Sequence, residues 1–148
     1  MNSLEPNLSK PMVSVVMPVF NALPWLSEAI DSILSQTYTN FEFIIIDDCS
    51  SDGSLDLLRE YETQDNRVKL VVNEKNLGVA GSLNRGVAQS SGVYIARMDA
   101  DDVSYPERFY YQVNFMQDNP GCVVVCSWID RLRKNGSKKL KKFPEDSD

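Results

Sequence analysis

Asp99, Ala100, Asp101 and Asp102 place three carboxylates directly after the strand-like run Tyr94-Ile95-Ala96-Arg97-Met98. Side chains two apart in an extended chain point the same way, so Asp99 and Asp101, if the strand continues through them, aim both carboxylates at one point. Such a pair suits a hard cation. Mg²⁺ and Mn²⁺ take oxygen ligands, and magnesium keeps waters and phosphate oxygens beside one or two protein carboxylates. A phosphorylated ligand would complete the shell. An isolated Asp-x-Asp is ordinary solvated surface, and it is the strand-end position that favours a ligand, because open α/β sheets collect ligands outside the carboxyl ends of their strands. Arg97 shares strand parity with both aspartates, which predicts a structural ion pair with one of them. Asp102 reads as an N-terminal acid of the following helix.

A sheet must exist to hold this cluster, and the hydrophobic pattern supplies one. Val13 to Met17 is a β-branched run stopped by Pro18. A helix follows with Leu26, Ile30, Ile33 and Leu34 on one face and Pro24 in its first turn. Phe41 to Ile46 is a second strand that runs into Asp47 and Asp48, a second acidic strand end, where Asp47 is placed to cap the turn. Leu55, Leu58 and Tyr61 mark a helix, Val68 to Val72 a strand, and Ala80, Leu83 and Val87 another helix. Asn76 and Gly78 shape the turn before it, while Asn84 and Arg85 receive no role. Val93 to Met98 is then the fourth strand, Phe109, Val113 and Met116 the inward face of a helix, and Cys122 to Ile129 a fifth strand. Alternation of this kind predicts an α/β fold, a three-layer αβα arrangement around a mostly parallel sheet.

The chain of 148 residues, 43% hydrophobic, is long enough for one domain with its own core. It divides into a polar leader (1–12), a ligand-binding domain (13–130) and a basic hairpin with an acidic tail (131–148). A formal charge of -6 argues against nucleic acid as a partner. With no histidine present, Ser-His-Asp and Cys-His catalysis and histidine metal sites are excluded within the chain. Cys49, Cys122 and Cys126 form no Cys-x-x-Cys pair and read as small core residues in a reducing compartment. No segment has the form of a signal peptide or a membrane span, so a cytoplasmic location is expected.

Pro18-Val19-Phe20-Asn21 stands where a dinucleotide fold would carry glycines, and no Walker lysine loop occurs. Asp48-x-Ser50-x-Asp52-Gly53 imitates a calcium loop but has Arg59 where the bidentate glutamate is needed. Asn135-Gly136 signals a hairpin turn, and its arms concentrate Arg131, Arg133, Lys134, Lys138, Lys139, Lys141 and Lys142. A solvated basic face is the simpler meaning of these arms. Peripheral contact with anionic lipid or glycan phosphate is the alternative.

Taken in order, Val13 to Asn21, Ser32-Ile33-Leu34-Ser35-Gln36-Thr37, Ile46 to Gly53, Asn76-Leu77-Gly78 and Met98 to Asp102 resemble the nucleotide-binding half of the family 2 inverting glycosyltransferases with the GT-A fold. Tyr94 to Asp99 looks most like members that build bacterial surface polysaccharide or lipopolysaccharide. The resemblance implies that Pro18, Val19 and Phe20 lie along the nucleotide base and that Asp48 hydrogen-bonds it. It further implies that Asp99 contacts the ribose or metal, that the neighbouring Ala100 belongs to the same nucleotide-sugar site, and that Asp101 is the main ligand of Mn²⁺ or Mg²⁺. The implied partners are a UDP-sugar donor and a glycan or lipid-linked acceptor. Nothing after Asp130 resembles the family's second half, which binds acceptor and supplies the catalytic base, so a donor-binding fragment of a longer transferase is expected. Two other readings stand beside it: a sugar-phosphate nucleotidyltransferase, which would want a glycine-rich loop after the first strand, and a non-catalytic nucleotide-binding or partner-binding module.

Overall fold

The computed structural model describes residues 11–132 and 137–141. The leader up to Lys10, the turn of Arg133 to Gly136 and the tail from Lys142 lie outside the described residues. Ten elements follow in order: β1 (Val13–Val19), α1 (Leu23–Leu34), β2 (Phe41–Asp47), α2 (Ser54–Gln64), β3 (Val68–Val72), α3 (Gly78–Gln89), β4 (Tyr94–Arg97), α4 (Arg108–Asp118), β5 (Ile129–Leu132) and β6 (Lys138–Lys141). The first four strands form one sheet in the order β3-β2-β1-β4, and all its pairings are parallel. β5 and β6 form a separate antiparallel pair.

The period of two along the central strands builds the layers. Val13, Val15, Met17 and Val19 of β1 join Phe41, Phe43 and Ile45 of β2 on one face, where Leu26, Ile30, Ile33, Leu58, Phe109 and Val113 cover them. Val16, Ile44 and Ile46 face the other way and meet Leu83 of α3. The sheet is therefore sandwiched by α1, α2 and α4 on one side and α3 on the other, the expected α/β arrangement. Among the described residues no helix is long and apolar enough to cross a membrane.

The structure corrects several expectations. Pro18 lies within β1 and does not end it. β4 pairs only as far as Val16↔Arg97. Pro18 therefore stands past the end of that neighbour, where its missing N–H costs no ladder bond. α3 meets the sheet through Ser82 and Gly86, and Ala80 and Val87 are exposed. A Cβ on Gly86 would sit 2.4 Å from Val16 Cγ1 and 2.6 Å from Ile46 Cδ1. Helix and sheet approach more closely there than any side chain allows. Residues 122–128 form no strand, and only Ile129 of that run enters one, in β5. Val123 is 89% and Val124 72% exposed, so their β-branched character finds no strand to pair with and no surface to pack on. Cys49 and Cys126 are exposed and Cys122 is partly so, which removes all three from the core.

Candidate active site

The carboxyl ends of β2, β1 and β4 lie side by side, with β1 in the middle. Asp48 follows β2, Phe20 follows β1 and Asp99 lies two residues past β4. Two strand spacings, roughly 10 Å, separate the outer two backbones.

The acidic segment does not continue extended. Beyond Arg97 the chain turns, and Asp102 N donates to Asp99 O at 3.2 Å. Ala100 points its methyl into the core at 8% exposure, while Asp101 and Asp102 are exposed. As parity predicts, Arg97 Nη2 donates to both oxygens of Asp99, at 2.8 and 2.9 Å. Partial desolvation and the nearby charges of Asp101 and Asp99 raise the Asp102 carboxyl above the usual range, against the opposing pull of Arg108 and Arg97. Three mutually repelling carboxylates, with oxygen as the only donor atom, fit a hard divalent cation. Among the described residues no group of three acidic, cysteine or histidine side chains is arranged to hold a metal by itself. Any cation there would complete its shell with water and ligand oxygens.

Gln36 fixes the loop that follows. Its Nε2 donates to Ser32 O, Ser104 Oγ and Tyr105 O, and its Oε1 accepts from Phe109 N in the first turn of α4. Ser104 N donates to Ser32 Oγ and Thr37 N to Pro106 O. The Ser32 to Thr37 segment thus clamps the acidic turn from behind.

Asp48 carries more than the sequence assigns to it. Only 3% exposed, it accepts from Asn73 Nδ2 at 2.7 Å and Leu77 N at 2.7 Å on Oδ1, and from Gly78 N at 2.8 Å on Oδ2. Burial raises its carboxyl, but these bonds and Ser82 outweigh that and hold it below the usual range. Leu77 at the N-cap of α3 offers no side-chain bond, and Asp48 caps the helix from another strand end, sharing Gly78 N with Asn76 Oδ1 at 3.1 Å. With Asn73, Leu77, Gly78 and Ser82 all serving it, the carboxylate is held in place by the protein's own donors. Arg85 donates to Asn73 Oδ1 and Val72 O. Sequence reasoning missed Asn73, Ser82 and Arg85 as members of this network. The available signal was Asn73, the first polar residue after an apolar strand at the same sheet end.

The β1 and β2 loops are braced together. Asn21 N donates to Ser50 Oγ, Ser51 N to Asn21 Oδ1, Ala22 N to Ser54 Oγ and Leu23 N to Asp52 Oδ2. Asn21 (φ 51°) and Cys49 (φ 68°) adopt left-handed backbone at the two strand ends. Asp47 caps the turn as expected, accepting from Ser50 N at 3.2 Å, and its Oδ1 is buried with no hydrogen-bond partner among the described residues. Of the residues expected along a nucleotide base, Phe20 is 53% exposed at the rim, Pro18 is partly buried and Val19 is 1% exposed. Val19 and Ala100 could therefore meet a ligand only through their backbone.

Comparison with known proteins agrees with this geometry. The model of glycosyl transferase family 2 matches residues 14–147. EpsE of Bacillus subtilis, classed as a glycosyltransferase, is 40% identical over 141 residues, which cover 93% of this chain and 51% of EpsE. TuaG of the same organism, classed as a teichuronic acid biosynthesis glycosyltransferase, is 38% identical over 134 residues, covering 90% of this chain and 52% of TuaG. The chain thus spans about half the length of these relatives. Among solved structures, Staphylococcus aureus TarS in complex with UDP-GlcNAc superposes with a TM-score of 0.68 at 26% identity, over 73% of this chain and 32% of that one. The mannosyltransferase PcManGT of Pyrobaculum calidifontis, in complex with GDP-Man and Mn²⁺, gives 0.66 at 26% identity, over 79% and 36%. An acidic turn at the end of a parallel strand, a capped neighbouring strand end and a match along almost the whole sequence agree, and the chain belongs to glycosyl transferase family 2.

Proposed function

We propose that this chain forms the donor-binding half of an inverting glycosyltransferase, which holds a UDP-sugar with Mn²⁺ or Mg²⁺ and passes the sugar to a glycan or lipid-linked acceptor of surface-polysaccharide type on the cytoplasmic side. The observation that carries this reading is the turn bearing Asp99, Asp101 and Asp102 beside the ends of β1 and β2. The relatives bound to UDP-GlcNAc and to GDP-Man with Mn²⁺ support it.

Asp101, exposed and without a cationic side chain on its carboxylate among the described residues, is assigned as the main metal ligand. Asp99 serves metal or ribose once Arg97 yields it. Asp48 is assigned to the imide N–H of the base, which would share the carboxylate with the donors that already hold it, and Phe20 with the backbone of Pro18 and Val19 lines the base's flank. When bound, the cation would supply Lewis-acid stabilisation of the leaving diphosphate. The base that deprotonates the acceptor hydroxyl is assigned to no residue of this chain.

Isothermal titration of the chain with UDP, with and without Mn²⁺, tests the reading. Binding should require the cation and should weaken at least tenfold in Asp101→Ala. Equal binding by the wild type and this variant would sink the metal assignment, and preference for GDP over UDP would move the donor to a guanosine sugar.

A further inference from the structure

Seven of the 15 basic residues fall between Arg131 and Lys142, a span with no acidic residue, although the whole chain carries a charge of -6. The structure orients part of this cluster. Tyr105 Oη donates to Asp130 Oδ2 at 2.7 Å, tying the β5–β6 hairpin to the loop just after the acidic turn. Lys138 also reaches the Tyr105 hydroxyl. The face bearing Asp130 therefore looks toward the body. Neighbouring residues on a strand take the opposite face, so Ile129 and Arg131 point away from it. Lys139 is the direct cross-strand partner of Arg131 and shares that outer face. Both are exposed, and among the described residues neither has an acidic partner within ion-pair distance.

Like charges directly opposite each other weaken an antiparallel pair, so this arrangement gains nothing for the fold. The run entering the hairpin is equally uneconomical for a water-facing surface: Val123 is 89%, Val124 72% and Ile129 45% exposed. Cationic and apolar groups displayed together match a bilayer boundary, where anionic headgroups meet the bases and the acyl margin accepts the apolar side chains. A soluble polyanion would engage the cations and leave the valines with no role. We infer that the outer face of the β5–β6 hairpin and the run before it dock on an anionic membrane surface. This surface is separate from the donor site and does not depend on its assignment. Because the chain as a whole is acidic, attraction is local to the hairpin and strongly salt-dependent.

Co-sedimentation of the 148-residue chain with vesicles of phosphatidylcholine alone, or of two parts phosphatidylcholine to one of phosphatidylglycerol, tests the inference. Binding to the anionic vesicles only is expected, declining as salt rises. Each basic residue near such a surface contributes roughly fivefold in partition, so Arg131→Glu with Lys139→Glu should lower binding at least about twentyfold. Val123→Ser with Val124→Ser should weaken binding further as salt is raised. All four positions are exposed, and thermal melts together with unchanged UDP and Mn²⁺ binding would establish that the variants are folded. The salt dependence of the wild type stands as a test even if a variant fails to fold. Equal binding to both vesicles, or indifference to the charge reversals, overturns the inference. So does displacement of the wild type by soluble polyphosphate while the serine variant binds as tightly, because that pattern belongs to a polyanion site.

Discussion

Gln36 at the end of α1 and Tyr105 beyond the acidic turn are joined by a 2.7 Å bond from Gln36 Nε2 to Tyr105 O, across 69 positions of sequence. The same side chain accepts from Phe109 N at 3.1 Å, so one buried amide sets the path from the end of β4 into α4. Its alkyl stem is incidental. What matters is an amide that donates and accepts at once, which neither a carboxylate nor a methyl group can reproduce.

Gln36→Ala is therefore expected to destabilise the fold by about 2 to 4 kcal/mol, since the Phe109 N–H and Tyr105 carbonyl lose a buried partner together. Urea denaturation reads the stability loss, and titration with UDP and Mn²⁺ should register weaker binding as the acidic turn loosens. A loss below about 1 kcal/mol would mean that water replaces the amide and that the clamp is dispensable.

Asp48→Asn separates capping from charge. Whichever way the amide sits, one of the N–H groups of Leu77 and Gly78 or the amide of Asn73 then faces a donor. A cost of about 2 to 4 kcal/mol is expected, with α3 fraying at its first turn. Hydrogen exchange at Leu77 and Gly78 checks it. Wild-type protection there would show that the carboxylate's service to α3 is minor.

Much of this architecture is legible in the residue pattern. The apolar runs of β1 and β2, the succession of strands and helices and the strand-end aspartates announce a parallel sheet with its chemistry at one end, and Arg97 declares its pairing with Asp99 by parity alone. Other features are hidden because they depend on neighbours. Val123 and Val124 have the composition of a strand, but pairing needs an available edge, which no local pattern encodes. Gly86 gives no apolar signal although its lack of a side chain is what lets α3 lie against Val16 and Ile46. The role of Asp48 needs three donors from β3 and α3, brought together only once β2 and β3 are in register.

Glu42 contributes to the acid limb of the stability profile beside Asp48, Asp52 and Asp65, whose carboxyls are also held below the usual range. Burial raises its carboxyl, but bonds from Lys69, Ser14 and Ser91 override that and bring it from 4.5 down to about 2. A group whose pKa is depressed on folding stabilises above its unfolded value and loses that contribution as pH falls through the folded one. Stability should therefore decline between about pH 4.5 and 2, by about 3 kcal/mol from this residue. Denaturation across that range should show a shallower slope for Glu42→Gln than for the wild type. Identical slopes would assign the acid limb to other carboxylates.

Gly86→Ala sets helix propensity against space. Alanine gains about 1 kcal/mol in a helix interior. Its methyl, however, would meet Val16 Cγ1 at 2.4 Å, and β-branched Val16 in a central strand has little freedom to move. Overpacking of this kind costs about 1 to 3 kcal/mol, so a net loss is expected in thermal or urea denaturation. A stabilised variant would mean that α3 can ride outward without penalty.

Arg97→Ala tests how the acidic turn is held before a ligand arrives. The pair with Asp99 is exposed on both sides, with side-chain accessibilities of 59% and 38%, so its removal should change stability by less than about 1 kcal/mol. Its effect on cation binding should be of the opposite sense. A guanidinium at 2.8 Å occupies the oxygens of Asp99 and adds positive charge beside the turn. A unit charge about 4 Å from a divalent cation is worth about 2 kcal/mol in water, or roughly thirtyfold in affinity before salt screening. Mn²⁺ should therefore bind the variant more tightly, followed by electron paramagnetic resonance of the free ion without nucleotide and by calorimetry with UDP. If binding tightens without nucleotide but weakens with it, Arg97 releases Asp99 to the cation and then turns to the diphosphate. Unchanged affinity in both conditions would mean that Asp99 takes no part in holding the ion and that Asp101 alone among the pair does so.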